Sequence, residues 1–155
     1  MSGKIISIWG DSGSGKSTFV ASLACALASR DYLIGFISSN LTYGNLQIFY
    51  GQSVRPEKGL FRALNDDNPN VGEKFSEYEE SKNVFFLSVP NQYTGLLCDS
   101  ISLQNVERLM TDASLVFDIL IVDGAGYINN PVSDTGLWLA ERIYTLYKPS
   151  IAAQM

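Results

Sequence analysis

The 155-residue chain is 46% hydrophobic and 17% charged, enough to bury a real core and unlike a disordered segment. Its 16 acidic and 11 basic residues give a net charge of -5, and no stretch gathers Lys and Arg, which argues against a general nucleic-acid binder. With no histidine, His-based acid–base catalysis and His metal ligation are excluded; Cys25 and Cys98 lie too far apart for a CxxC redox pair or a zinc site.

Lys4 to Trp9 (KIISIW) is a short isoleucine-rich run that reads as a buried strand. A glycine-rich loop follows, then a helix from Ser17 to Ser29 with Phe19, Leu23 and Leu27 at helical spacing, in which Cys25 reads as a small buried hydrophobe. Leu33 to Ser38 is a second buried strand, completing a βαβ unit with parallel strands and a right-handed crossover.

Short helices are expected at Asn45 to Gly51 and Gly59 to Asn65, a turn-rich break at Asp66 to Gly72, and a charged, partly helical stretch at Glu73 to Lys82. Val84 to Val89 reads as a strand. Leu103 to Leu115 reads as an amphipathic helix capped by Ser102, Phe117 to Val122 as a strand, and Ile143 to Tyr147 as the last strand. Repeats and linkers are absent, so residues 1–155 are expected to form one α/β domain, with helices on both faces of a mostly parallel sheet. The N-terminus lacks the pattern of a secretory leader and no run approaches about 20 apolar residues, so a cytoplasmic location is the default expectation.

Gly10-Asp-Ser-Gly-Ser-Gly15-Lys16-Ser17 matches G-x-x-x-x-G-K-[ST] at every fixed position, between a predicted strand and a predicted helix. Glycines let successive N–H groups curl around phosphate oxygens, and the helix start adds its unpaired N–H groups and positive dipole end. Lys16 is expected to face solvent until it meets the β- and γ-phosphates, and the Ser17 hydroxyl to ligate Mg²⁺. The candidate nucleotide contacts are Gly10, Asp11, Ser12, Gly13, Ser14, Gly15, Lys16, Ser17 and Thr18. Asp123 ends an apolar strand in the manner of a Walker B acid, placing a metal-holding carboxylate at the carboxyl edge of the sheet. Gly126 completes Asp-x-x-Gly, a loop whose N–H is suited to sensing a γ-phosphate.

From Lys4 to Ser150 the order of motifs resembles the MinD/ParA family of deviant-Walker ATPases, which serve cell division, plasmid partition and pilus positioning. GKSTFVASLACALASRDYLIGFIS is similar to the family's first helix and second strand. Asn83 to Gly126 follows the family's order of strand, short loop, amphipathic helix and then FDILIVDGAG, and Arg142 to Ser150 resembles the strand and Pro-containing turn after the second switch. The resemblance implies a three-layer P-loop fold, ATP and Mg²⁺ as cofactors, and a protein partner. It also implies roles for two positions that depart from the family. Asp11 stands where the family has a lysine that reaches the partner subunit's nucleotide, and a carboxylate there repels phosphate. Asn40 stands where the family has an aspartate that orients the attacking water, and an amide is a far poorer base. Lys16 and Asn40 are thus the candidate catalytic residues. The chain stops at Met155, where the family continues, which implies a C-terminally truncated form. Together the departures resemble the atypical branch of TadZ and CpaE, the pilus-localisation proteins. Three functions remain open: a slow ATPase switch, a non-hydrolysing nucleotide-binding scaffold, and a small P-loop metabolite kinase, against which stands the lack of a basic lid segment.

Overall fold

The computed structural model describes residues 1–44, 49–67, 70–90, 101–127 and 129–149. The elements run β1 (Lys4–Gly10), α1 (Lys16–Ala28), β2 (Ile34–Ser38), α2 (Leu60–Asn65), β3 (Ser76–Glu77), β4 (Val84–Leu87), α3 (Leu103–Val116), β5 (Ile119–Asp123), α4 (Pro131–Leu139) and β6 (Arg142–Leu146). The strands form a six-stranded sheet in the order β3-β4-β2-β5-β1-β6. Every pairing is parallel except the short antiparallel one between β3 and β4.

The central strands bury side chains on both faces, as parallel strands covered on both sides do. Successive residues alternate between two hydrophobic clusters. Ile34, Phe36, Phe86 and Ile121 pack with Val20, Ala24 and Ala28 of α1. Ile37, Leu87, Leu120 and Val122 pack on the other face with Leu60 and Leu64 of α2, Val106, Leu109, Met110 and Ala113 of α3, and Val132 of α4. The expected three-layer α/β architecture is therefore what the chain forms. No described helix is long and apolar enough to cross a membrane.

Some local expectations need correction. In the stretch from Glu73 to Lys82, Glu73 and Lys74 lie in a 3-10 turn, Val71–Lys74, and Ser76–Glu77 form the edge strand β3 instead of a helix. Pairing with Phe85 and Phe86 of β4 decides this, and only the assembled sheet supplies that partner. Phe117 does not begin β5; it caps α3 and turns its ring into the core. Ser102 occupies the N-cap of α3 without a side-chain bond, its carbonyl accepting from the N–H groups of Asn105 and Val106 instead. Cys25 is half-buried against the α1-side cluster. Residues 45–48 of the expected Asn45 to Gly51 helix, and Cys98, lie outside the described residues.

Helix α4 was not anticipated. Its signal is the Asn130-Pro131 pair, a capping residue followed by a proline at the first helical position. With Gly136 and nine residues, it lacks a periodic apolar stripe strong enough to reveal it.

Gly35 on β2 leaves room for the Phe117 ring: a Cβ there would lie 2.4 Å from Phe117 Cδ2. Gly35→Ala is expected to cost about 1–3 kcal/mol by overpacking, read as a lower urea midpoint with an unchanged slope. A wild-type midpoint would show that the ring has space to move away.

Candidate nucleotide-phosphate site

The loop leaves β1 at Gly10 and enters α1 at Lys16. Gly13 and Gly15 have φ values of 76° and 85°, the left-handed region where a side chain is strained. A Cβ at either would meet nothing within 4 Å, so backbone conformation, not crowding, requires glycine there. The loop is closed by the Ser14 N–H donating to the Asp11 carbonyl at 3.2 Å. Gly15 is the N-cap of α1 and supplies no side-chain bond, and the first turn holds no acid. The leading N–H groups and positive end of the helix thus face the loop without an internal counter-charge.

Lys16 does not face solvent as expected. It is 8% exposed, and its Nζ donates to the Asp11 carbonyl oxygen at 2.6 Å, bridging the loop from within. Burial pushes its pKa below the ordinary lysine value, while the carboxylates of Asp123 and Asp11 pull it back up. The physical reason is that a buried ammonium needs acceptors, and the nearest carbonyl belongs to the loop itself.

Asp123 is 4% exposed at the carboxyl end of β5. The sheet register sets it level with Ser38, where β2 also ends, and with Ile8 of β1, which runs on to Gly10 before the loop begins. Its Oδ2 accepts from Ser17 Oγ at 2.6 Å. Its Oδ1 is buried with no hydrogen-bond partner within the protein, as is Ser14 Oγ. Burial raises the Asp123 pKa from 3.8 to about 6, against the lowering effects of the Ser17 hydrogen bond and the Lys16 charge.

This donor set fits magnesium with phosphate. Ser17 Oγ and the Asp123 carboxylate are hard oxygen donors, which suit an ion that keeps water and phosphate oxygens as its other ligands. The unpartnered Oδ1 and the open glycine loop are both features that such a group would satisfy. Among the described residues no cluster of three or more His, Cys, Asp or Glu converges on a metal.

A cavity of about 360 Å³ opens beside the loop, lined by Ser12, Gly13, Lys16 and Ser17, by Ser39, Asn40, Thr42 and Tyr43 after β2, and by residues 123–127 after β5. A larger one, about 690 Å³, lies elsewhere, between the 50–58 and 76–80 segments, and holds none of the sequence-predicted residues. Of those residues, the structure brings Ser12, Gly13, Lys16, Ser17, Asn40, Asp123 and Gly126 to the first cavity. Gly10 is buried at the end of β1, and Asp11, Gly15 and Thr18 are exposed beyond the cavity lining. Gly126 abuts the phosphate loop closely: a Cβ on it would lie 2.8 Å from the Ser12 nitrogen.

Asn40 lines the cavity, yet its carbonyl oxygen serves its own turn. Oδ1 accepts from the Thr42 N–H at 3.0 Å, Thr42 Oγ1 at 2.8 Å and the Tyr43 N–H at 3.4 Å. That turn takes up the amide's acceptor, and the group that is left, Nδ2, is a donor only. Sequence reasoning missed Ser39, Tyr127, Asn130 and Ser133, whose hydrogen bonds hold the two loops. Only the Asn-Pro step before α4 gave any signal of them.

The parallel sheet, the glycine loop at the first strand-to-helix turn and the acid at the end of the adjacent strand define a P-loop nucleotide-binding fold. More particularly, the fold is that of the MinD/ParA-type P-loop ATPases. The septum site-determining protein MinD of Pyrococcus horikoshii, complexed with Mg-ADP, superposes with a TM-score of 0.75 at 20% identity, covering 96% of this chain and 59% of that one. A ParA family ATPase from Chlorobium tepidum gives 0.75 and 20%, over 94% of this chain and 62% of that one. Cobyrinic acid a,c-diamide synthase from Mycobacterium smegmatis, with bound ADP and magnesium, gives 0.70 and 18%, over 92% and 59%. The chain thus spans about 60% of the length of these proteins. No protein-family model and no curated protein matches the sequence.

The raised pKa of Asp123 makes a stability prediction. A carboxyl with a folded pKa above its unfolded value binds protons preferentially in the folded state, so stability falls as pH rises from about 4 to 6 and stays reduced above that. The deficit at pH 7 is on the order of 3 kcal/mol. Without nucleotide, Asp123→Asn is expected to raise the urea midpoint at pH 7 and to lose that gain below pH 4. A variant less stable than wild type at pH 7 would show that Ser17 and Lys16 outweigh the burial cost.

Proposed function

We propose that this chain binds a magnesium nucleotide, ATP in the first place, and acts as a slow nucleotide-dependent switch that presents different surfaces to a protein partner. One observation carries the reading: an open left-handed glycine loop and an uncapped helix start lie beside a part-buried Ser17–Asp123 pair with one unsatisfied, buried carboxylate oxygen. Loop and helix N–H groups would hold the phosphates. Magnesium, when bound with the nucleotide, supplies charge neutralisation at the phosphate oxygens. Ser17 and Asp123 are the residues to hold it, directly or through water.

Lys16 supplies the switching element in this reading. Its ammonium would exchange the Asp11 carbonyl for a phosphate oxygen, so phosphate binding would break a bond that closes the loop. The Gly126 segment lies against Ser12 and would register that change.

Turnover is expected to be slow. The Asn40 carbonyl is committed to its own turn, and an amide nitrogen cannot accept a proton. Asp11 offers no cation to a second subunit. The same observation favours a second reading, a non-hydrolysing scaffold, which single-turnover hydrolysis separates from the first. ADP release dependent on a small-molecule acceptor would instead indicate a kinase.

The test is calorimetric titration of ATP and GTP with and without Mg²⁺. Lys16→Ala is expected to weaken binding by roughly 10- to 100-fold, the loss of a charge-assisted hydrogen bond or two. Asp123→Asn is expected to weaken binding more in Mg²⁺ than in EDTA. Wild-type affinity in Lys16→Ala would overturn the nucleotide reading. Asn40→Asp keeps the turn's acceptor and is expected to raise the single-turnover rate. An unchanged rate would remove Asn40 from the catalytic candidates.

A further inference from the structure

Asn130 is fully buried, and its amide is shared among three pieces of chain. Oδ1 accepts from the N–H groups of Val132 at 3.1 Å and Ser133 at 3.0 Å, capping α4. Nδ2 donates to the Ser39 carbonyl at 2.7 Å, on the segment leaving β2, and to the Tyr127 hydroxyl at 3.3 Å, on the segment leaving β5. Two neighbouring bonds tighten the same knot. Ser133 Oγ accepts from the Ala125 N–H at 3.1 Å, and the Ser39 N–H donates to the Asp123 carbonyl at 3.0 Å.

Capping needs only the acceptor. Asp or Ser caps a helix about as well as Asn does. The donor half of the amide adds the side-chain link between the loops, beside the Ser39–Asp123 backbone bond, and it does so out of water, where an unmade bond is costly. An aspartate at 130 would set a carboxylate against the Ser39 carbonyl oxygen.

We propose that Asn130 is a positioning residue that makes the 39–43 and 125–127 segments move as one unit with the first turn of α4. A phosphate group that displaces either segment then shifts both. This rests on the nucleotide-switch reading above and names the residue through which the switch is transmitted. Because the cap and the link use different atoms of one side chain, substitutions separate them. Asn130→Asp keeps the cap and loses both donor bonds. Asn130→Ser keeps a capping hydroxyl that is too short to span to Ser39.

The experiment is hydrogen–deuterium exchange of the full chain with and without Mg-ATP. In wild type, nucleotide is expected to slow exchange in residues 10–17 and, together, in 39–44 and 125–127. In both variants the 10–17 and 125–127 responses are expected to persist, while the 39–44 response falls to within about twofold of the nucleotide-free rate. Joint protection that survives in both variants overturns the proposal. So does a general loosening of α4 that leaves the nucleotide response intact, which is all that a capping role would give. The wild-type comparison stands even if a variant fails to fold: protection of 10–17 with only one of the two segments overturns the coupling. No response at 10–17 in wild type is a different pattern, and overturns the nucleotide reading itself.

Discussion

The parallel pairing of β1 with β5 is the constraint on which the site depends. Its register sets Ile8 opposite Asp123, so one strand runs out into the glycine loop where its neighbour presents a carboxylate. Ser17, in the first turn of α1, then meets Asp123 across 106 positions of sequence. A shift of the pairing by one residue would turn Asp123 onto the opposite face and remove the contact. The two-sided core holds that register, because each face of β5 is packed against different helices.

That geometry imposes a balance of charge. Lys16 and Asp123 are both buried, and burial moves each pKa towards its neutral form. Each is compensated only in part, Lys16 by the Asp11 carbonyl and the nearby carboxylates, and Asp123 by the Ser17 hydroxyl and the Lys16 charge. Of the buried side-chain oxygens left without a partner among the described residues, Asp123 Oδ1 and Ser14 Oγ belong to or adjoin the phosphate loop, and Ser7 Oγ lies within β1. An arrangement with unmet hydrogen-bonding capacity at one edge of a well-packed sheet has the character of a site built for another group.

The fold alone leaves the chemistry open. The proteins that share it include a septum site-determining protein and a diamide synthase, so the reading of this chain rests on its own loops. Those loops differ in kind. The glycine loop is held by local bonds within residues 11–16, whereas the segments after β2 and β5 are tied in part through Asn130, whose partners come from three places in the sequence.

The sequence by itself determined the βαβ start, the glycine loop and the acid at the end of the fifth strand. Each is a local pattern: an apolar run, a fixed spacing, a strand that ends in a charge. Tertiary structure alone decided how Lys16 lies, because its acceptor is chosen by which carbonyl comes within reach once the loop folds. It also decided β3, an edge of two residues that needs β4 beside it, and the capture of the Asn40 carbonyl by its own turn. The Asn130-Pro131 step marks a helix cap, but the linking role of the Asn130 amide was invisible for the same reason. A buried amide declares its role through partners brought together by packing, and no spacing in the chain encodes where Ser39 and Tyr127 will meet it.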